Sequence, residues 1–163
     1  AGRERVKLEY VGKSGKTHCI SIADRRLATV VRRCQEVPGQ LLFQYLDRDG
    51  VRHAVTSQDV NDYLREHMGD FTAKHFRTWG ASVIAFSALA RAKGQIKLKD
   101  MLAEVAQKLG NTPAIARKSY VHPAIIEAAL DPPDLDWSLP RAADLLSREE
   151  RGLLAFLERH GTG

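Results

Sequence analysis

The chain has 163 residues, 44% apolar and 28% charged, and its 25 Lys and Arg against 20 Asp and Glu leave a formal net charge of +5. This is the composition of one ordinary globular domain with enough chain for a sizeable core, and it excludes a disordered polymer. No apolar run reaches the roughly 18 residues that a membrane span needs. The opening Ala1-Gly2-Arg3-Glu4-Arg5 has no secretory apolar stretch, and Cys19 and Cys34 form neither a disulfide framework nor a CxxC site. A reduced, cytoplasmic protein is the expectation. The basic excess suits nucleic acid, and equally a merely soluble basic domain.

Val6, Leu8 and Tyr10 alternate with Arg5, Lys7 and Glu9, the period of a half-buried strand. Gly12-Lys13-Ser14-Gly15-Lys16 is turn-forming, and Thr17 to Ile22 reads as the second strand of a hairpin, with His18, Ile20 and Ile22 on one side. From Asp24 to about Glu36 the period becomes helical, with Leu27, Val30, Val31 and Cys34 as the apolar stripe and Arg25, Arg26, Arg32 and Arg33 on the other face. Leu41 to Leu46 and Val51 to Val55 flank the turn Asp47-Arg48-Asp49-Gly50, a candidate pair of short strands.

The remainder reads as helices. Thr56 to Asp59 fits a capping box for a helix ending near Met68, and Thr72 caps a long helix through about Ala92. A helix from about Leu98 to Leu109 is closed by Gly110. Pro113 and Pro123 open two short helices, to Tyr120 and to about Leu130. After the Asp131-Pro132-Pro133-Asp134 loop, Ser147 to Glu150 is a second capping box, opening a last helix. The fold class expected is mainly α with a small N-terminal antiparallel β-sheet, in one domain over residues 1–163.

Familiar chemistries fail on spacing. Gly12-Lys13-Ser14 lacks the upstream glycine of a phosphate loop and joins two strands. The six histidines make no HExxH pair or zinc cluster, and no Gly-x-Ser-x-Gly elbow occurs. What remains is three unusual segments: Tyr10-Val11-Gly12-Lys13-Ser14-Gly15-Lys16, Thr72-Ala73-Lys74-His75-Phe76-Arg77-Thr78-Trp79, and the run from Leu109-Gly110-Asn111-Thr112-Pro113 to Arg117-Lys118-Ser119-Tyr120-Val121-His122-Pro123.

In that order and at those separations the segments resemble the catalytic domain of type IB DNA topoisomerases, in particular the bacterial, poxvirus-like branch. Asp24-Arg25-Arg26-Leu27, Leu42-Phe43-Gln44-Tyr45 and Asp59-Val60-Asn61-Asp62-Tyr63-Leu64 are also similar to it. The resemblance covers about residues 5 to 130 and implies the topoisomerase IB/tyrosine recombinase catalytic fold. It implies relaxation of supercoiled DNA through a 3′-phosphotyrosyl intermediate, with no ATP, nucleotide, metal or other cofactor. The implied partner is double-stranded DNA, with no membrane, acted on by a nucleoid-associated monomer.

In this resemblance Tyr120 matches the nucleophile. Arg77 matches the arginine that grips the scissile phosphate, where a guanidinium fork serves two oxygens. Asn111, nine positions before Tyr120, stands where many members have histidine. An amide can donate a hydrogen bond there but cannot titrate. Lys13 matches the hairpin general acid, with Lys16 as its rival. Lys16, Lys74, Arg117, Lys118, Arg25 and Arg26 are the implied DNA contacts. Taken without the resemblance, Tyr120 is a half-buried residue near a helix end, Arg77 a surface arginine paired with a carboxylate, Asn111 part of a helix stop, and Lys13 a solvated turn residue. Phe76 and Trp79 are expected in the core.

One family part has no match: a further arginine well upstream of the lysine hairpin. Only 12 residues precede Lys13, and neither Arg3 nor Arg5 has the matching context. The expectation is a piece of a longer enzyme, weak or inactive alone. Two alternatives stand beside it. A tyrosine recombinase usually carries histidine three residues before the second arginine, where this chain has Lys74. A non-catalytic DNA-binding module would form no covalent adduct.

Overall fold

The computed structural model describes residues 5–12, 15, 17–143 and 145–160. It divides into two compact units, residues 1–60 and 61–163.

In the first unit, β1 (Arg5–Val11) pairs antiparallel with β2 (Thr17–Ala23), placing Val6 opposite Ile22 and Leu8 opposite Ile20. Helix α1 (Arg25–Glu36) lies on β1, and Asp24 caps it by accepting the Leu27 N–H at 2.9 Å. A small core of Val6, Ala28 and Val31, backed by Leu8, Leu27 and Leu42, forms between them. The buried stripe of α1 therefore runs through Leu27, Ala28, Val31 and Cys34, and Val30 is 54% exposed. At about 100° per residue Val30 lies well off the centre of that stripe, and the small Ala28 is what lets the helix come close to the hairpin. β3 (Gln44–Leu46) and β4 (Arg52–Ala54) make a second antiparallel pair, so two separate two-stranded sheets stand where a single small sheet is expected from the sequence. Asp47 holds the intervening turn: its carboxylate accepts the N–H groups of Asp49 and Val51 and pairs with His53 at 2.7 Å.

Helix α2 (Ser57–Met68) opens on the Thr56/Asp59 capping box, with the Thr56 N–H donating to Asp59 at 2.7 Å. The second unit is built on α3 (Ala73–Arg91). Its Ala81, Ala85, Phe86, Ala88 and Leu89 are buried on faces that meet α4 (Leu98–Leu109), α6 (Pro123–Leu130) and α7 (Arg148–His160). Between α4 and α6 lies α5 (Pro113–Ser119), which packs on α4. Residues 131–147 cross back to α7, and Trp137 stacks with Phe156 and lies 6.2 Å from Phe86, centroid to centroid.

Gly152 is a helical glycine with a packing reason. A Cβ there would lie 2.9 Å from Phe86 and 3.0 Å from Leu139. Phe86 cannot yield easily, because Trp137 and Phe156 flank it. Gly152→Ala is therefore expected to destabilise by about 1–3 kcal/mol despite alanine's better helix propensity, read as a lower urea midpoint.

Candidate functional site

The site is assembled by three helix ends in the second unit. Gly110 ends α4 in the left-handed conformation (φ 67°, ψ 34°), which reverses the chain so that the Asn111 N–H bonds back to Ala106 at 2.9 Å. Thr112 caps α5 by accepting the Ile115 N–H at 3.3 Å, and Pro113 supplies the first helical φ. With Gly110 and Thr112 doing the capping, the Asn111 side chain has no structural task. Its Nδ2 is buried and has no hydrogen-bond partner among the described residues. A buried amide donor left unpaired costs about 1–3 kcal/mol.

Tyr120 is the C-cap of α5, half-buried against the core. Arg77 stands in the second turn of α3, and its guanidinium carbon lies 5.4 Å from the Tyr120 ring centroid. Its Nη2 donates to the Leu109 carbonyl at 2.6 Å, one of the unpaired carbonyls at the end of α4. Among the described residues Arg77 is in no ion pair, so it is not the carboxylate-paired surface arginine of the plain reading. Arg77, Tyr120 and the Leu109–Asn111 turn are thus neighbours although 43 residues separate the first two in sequence.

Lys74 is exposed in the first turn of α3, and Arg117 and Lys118 are exposed in the last turn of α5. Arg25 and Arg26 are exposed at the start of α1 in the first unit. Lys13 and Lys16 lie outside the described residues. Trp79 packs against the core as expected from the sequence, but Phe76 is 51% exposed. The reason is that the first five residues of α3, from Ala73 to Arg77, are all exposed ahead of the packed stretch. His75 is used locally, where its Nδ1 accepts the Thr72 N–H at 3.0 Å.

The sequence reading missed Ser82. It is the one buried polar residue among those described, 3% exposed. Its hydroxyl donates to the Tyr120 carbonyl at 3.3 Å and accepts the His122 N–H at 3.1 Å, bracketing Val121. A serine one turn beyond Arg77 on the packed face of α3 was the only available signal, and it is not distinctive. Ser82→Ala strands both backbone groups and is expected to destabilise by about 1–3 kcal/mol, measured by chemical denaturation.

At the far side, the Trp79 indole N–H donates to Glu150 at 3.1 Å, and the other Glu150 oxygen accepts the Ser147 N–H at 2.8 Å in the expected capping box. These bonds, the Ser147 N–H first, hold the Glu150 carboxyl below the usual glutamate range. The stability they contribute is present above that ordinary range and lost as pH falls through the lowered value. Among the described residues no helix is long and apolar enough to cross a membrane, and no cluster of three or more His, Cys, Asp or Glu is placed to hold a metal ion.

Residues 1–131 match a family model described as the catalytic core of eukaryotic DNA topoisomerase I. The chain therefore belongs to the DNA topoisomerase I catalytic-core family, in its poxvirus-like type IB form. It is similar to the DNA topoisomerase 1B of Acanthamoeba polyphaga mimivirus, 32% identical over 131 residues that cover 71% of this chain and 39% of that protein. The chain thus spans about two fifths of that relative's length.

Proposed function

We propose that this chain is the part of a type IB DNA topoisomerase that breaks and reseals one strand, with its two units acting as a single catalytic domain of the topoisomerase IB/tyrosine recombinase fold. The observation that carries the reading is the Arg77 guanidinium 5.4 Å from the Tyr120 ring and bonded to the Leu109 carbonyl, two residues before Asn111 and its unpaired buried amide.

In the proposed step the Tyr120 hydroxyl loses its proton to solvent water as its oxygen attacks a phosphorus of duplex DNA. A P–O bond to the tyrosine forms, and the bond to the 5′ oxygen breaks. Arg77 holds the non-bridging oxygens with the donors that Leu109 leaves unused, and Asn111 Nδ2 donates to one of them. Lys13 gives its proton to the departing 5′ oxygen. The phosphotyrosyl ester keeps the bond energy, so the reverse attack by the 5′ hydroxyl needs neither ATP nor a metal ion. Lys16, Lys74, Arg117, Lys118, Arg25 and Arg26 contact DNA phosphates, which makes binding salt-sensitive. The chain is expected to act as a monomer on double-stranded DNA.

The test is incubation with supercoiled plasmid and EDTA, without ATP, followed by a detergent quench. The reading requires relaxed topoisomers and a peptide containing Tyr120 attached to a DNA 3′ end, identified by mass spectrometry. Tight DNA binding with no adduct after prolonged incubation would establish the passive binding module instead. Exchange of strands between paired specific sites, without general plasmid relaxation, would make it a recombinase.

A further inference from the structure

Helix α3 presents Arg77 from its exposed N-terminal end. Every side chain from Ala73 to Arg77 is exposed, and the first α3 side chain packed on the main core is Trp79. Among the described residues the helix start is tied by the Ala73 N–H to Asn61 at 3.0 Å, by His75 to Thr72 and Phe71, and by Arg77 itself to the Leu109 carbonyl at 2.6 Å. The tip of Arg77 is thus held at Leu109, and the helix that delivers it is held at Trp79. Apolar packing alone is non-directional and leaves an indole free to slide or turn. A hydrogen bond to a carboxylate is directional and short.

Trp79 has such a bond, and its acceptor is unusually well fixed. Glu150 is locked by Ser147 in the α7 cap, with the Glu150 N–H returned to the Ser147 hydroxyl at 3.2 Å. Farther along, α7 is anchored by Leu153 and Phe156, both within the main core. We infer that Glu150 is a positioning residue for Arg77, acting through the Trp79 indole, so that α7 serves the reacting centre from outside the stretch that the family model matches. The inference rests on the functional reading above. A guanidinium fork must meet two phosphate oxygens at once, and a misplacement of about 1 Å can lower a rate by about 100-fold.

Two measurements test it on residues 1–163. Trp79→Phe removes the indole donor and leaves the α7 cap intact; Glu150→Ala removes the acceptor; Glu150→Gln keeps one acceptor oxygen, enough for the indole N–H or the Ser147 N–H but not for both. The first measurement is hydrogen exchange of the peptide spanning residues 73–79, without DNA. Trp79→Phe and Glu150→Ala are expected to exchange at least fivefold faster there, and Glu150→Gln to fall between them and the native chain. Unchanged exchange in Trp79→Phe overturns the inference, whatever the chain does to DNA. The second is the rate of adduct formation with protein in excess. Trp79→Phe and Glu150→Ala should each be about tenfold slower with DNA affinity within twofold, and the double variant no slower than the worse single one. Native adduct rates in both single variants, folded by circular dichroism at the assay temperature, would overturn it too. A native chain that forms no adduct instead removes the functional reading, and with it the inference that Arg77 is being positioned for phosphate.

Discussion

Arg77→Ala is expected to form its DNA adduct on the order of 1000-fold more slowly than the native chain, and Tyr120→Phe to form none. The size of the first effect follows from how little else Arg77 does. Among the described residues its sole hydrogen bond goes to the Leu109 carbonyl, and no carboxylate neutralises it. A guanidinium has five donors, so most of the fork remains for a phosphate. Arg77→Lys should recover only part of the loss, because an ammonium keeps the charge and gives up the bidentate geometry. Losing one phosphate contact should also flatten the slope of log affinity against log salt by about 0.9. Detergent-quenched time courses give the rates, and salt titrations the slope. An alanine variant within threefold of native would show that the phosphate sits elsewhere.

The largest stability effect is expected at Leu89. It is fully buried in the last turn of α3, within the main core that α3 shares with α4, α6 and α7. Leu89→Ala removes three carbons from that close-packed core. A loss of about 3–5 kcal/mol follows, against a typical total of about 5–15 kcal/mol. Urea unfolding should show a lower midpoint at unchanged slope. A shift under about 1 kcal/mol would mean that the four-helix contact repacks around the alanine.

Most elements were legible because each carries a local signal. The prolines at 113 and 123, the glycine at 110 and the Ser147/Glu150 pair mark helix ends by chemistry that needs no tertiary context. Legibility failed where packing partners decide. Val30 fits an apolar stripe as well as Ala28 does, and only the hairpin beneath α1 selects between them. Phe76 looks like core and is exposed, because the first five residues of α3 lie ahead of its packed stretch. At the site, the motifs pointed to Arg77, Tyr120 and Asn111, and the fold brings the first two together. That Asn111 would be buried with an unpaired amide depended on Gly110 and Thr112 taking over the capping. Ser82 acts through backbone groups, and the Trp79–Glu150 bond joins residues 71 positions apart; neither leaves a pattern in one sequence.

The contribution of α7 to the main core has a consequence for biosynthesis. Leu153 and Phe156 close over side chains from α3, more than 60 residues upstream in the chain. A chain extending only to residue 131 holds the whole stretch that the family model matches, yet leaves Phe86 without its aromatic partners Trp137 and Phe156. Folding of the second unit must await the arrival of these late side chains. The aromatic cluster around Phe86 is therefore completed only once residues 137–156 have been made, and a chain cut after residue 131 is left with apolar surface uncovered.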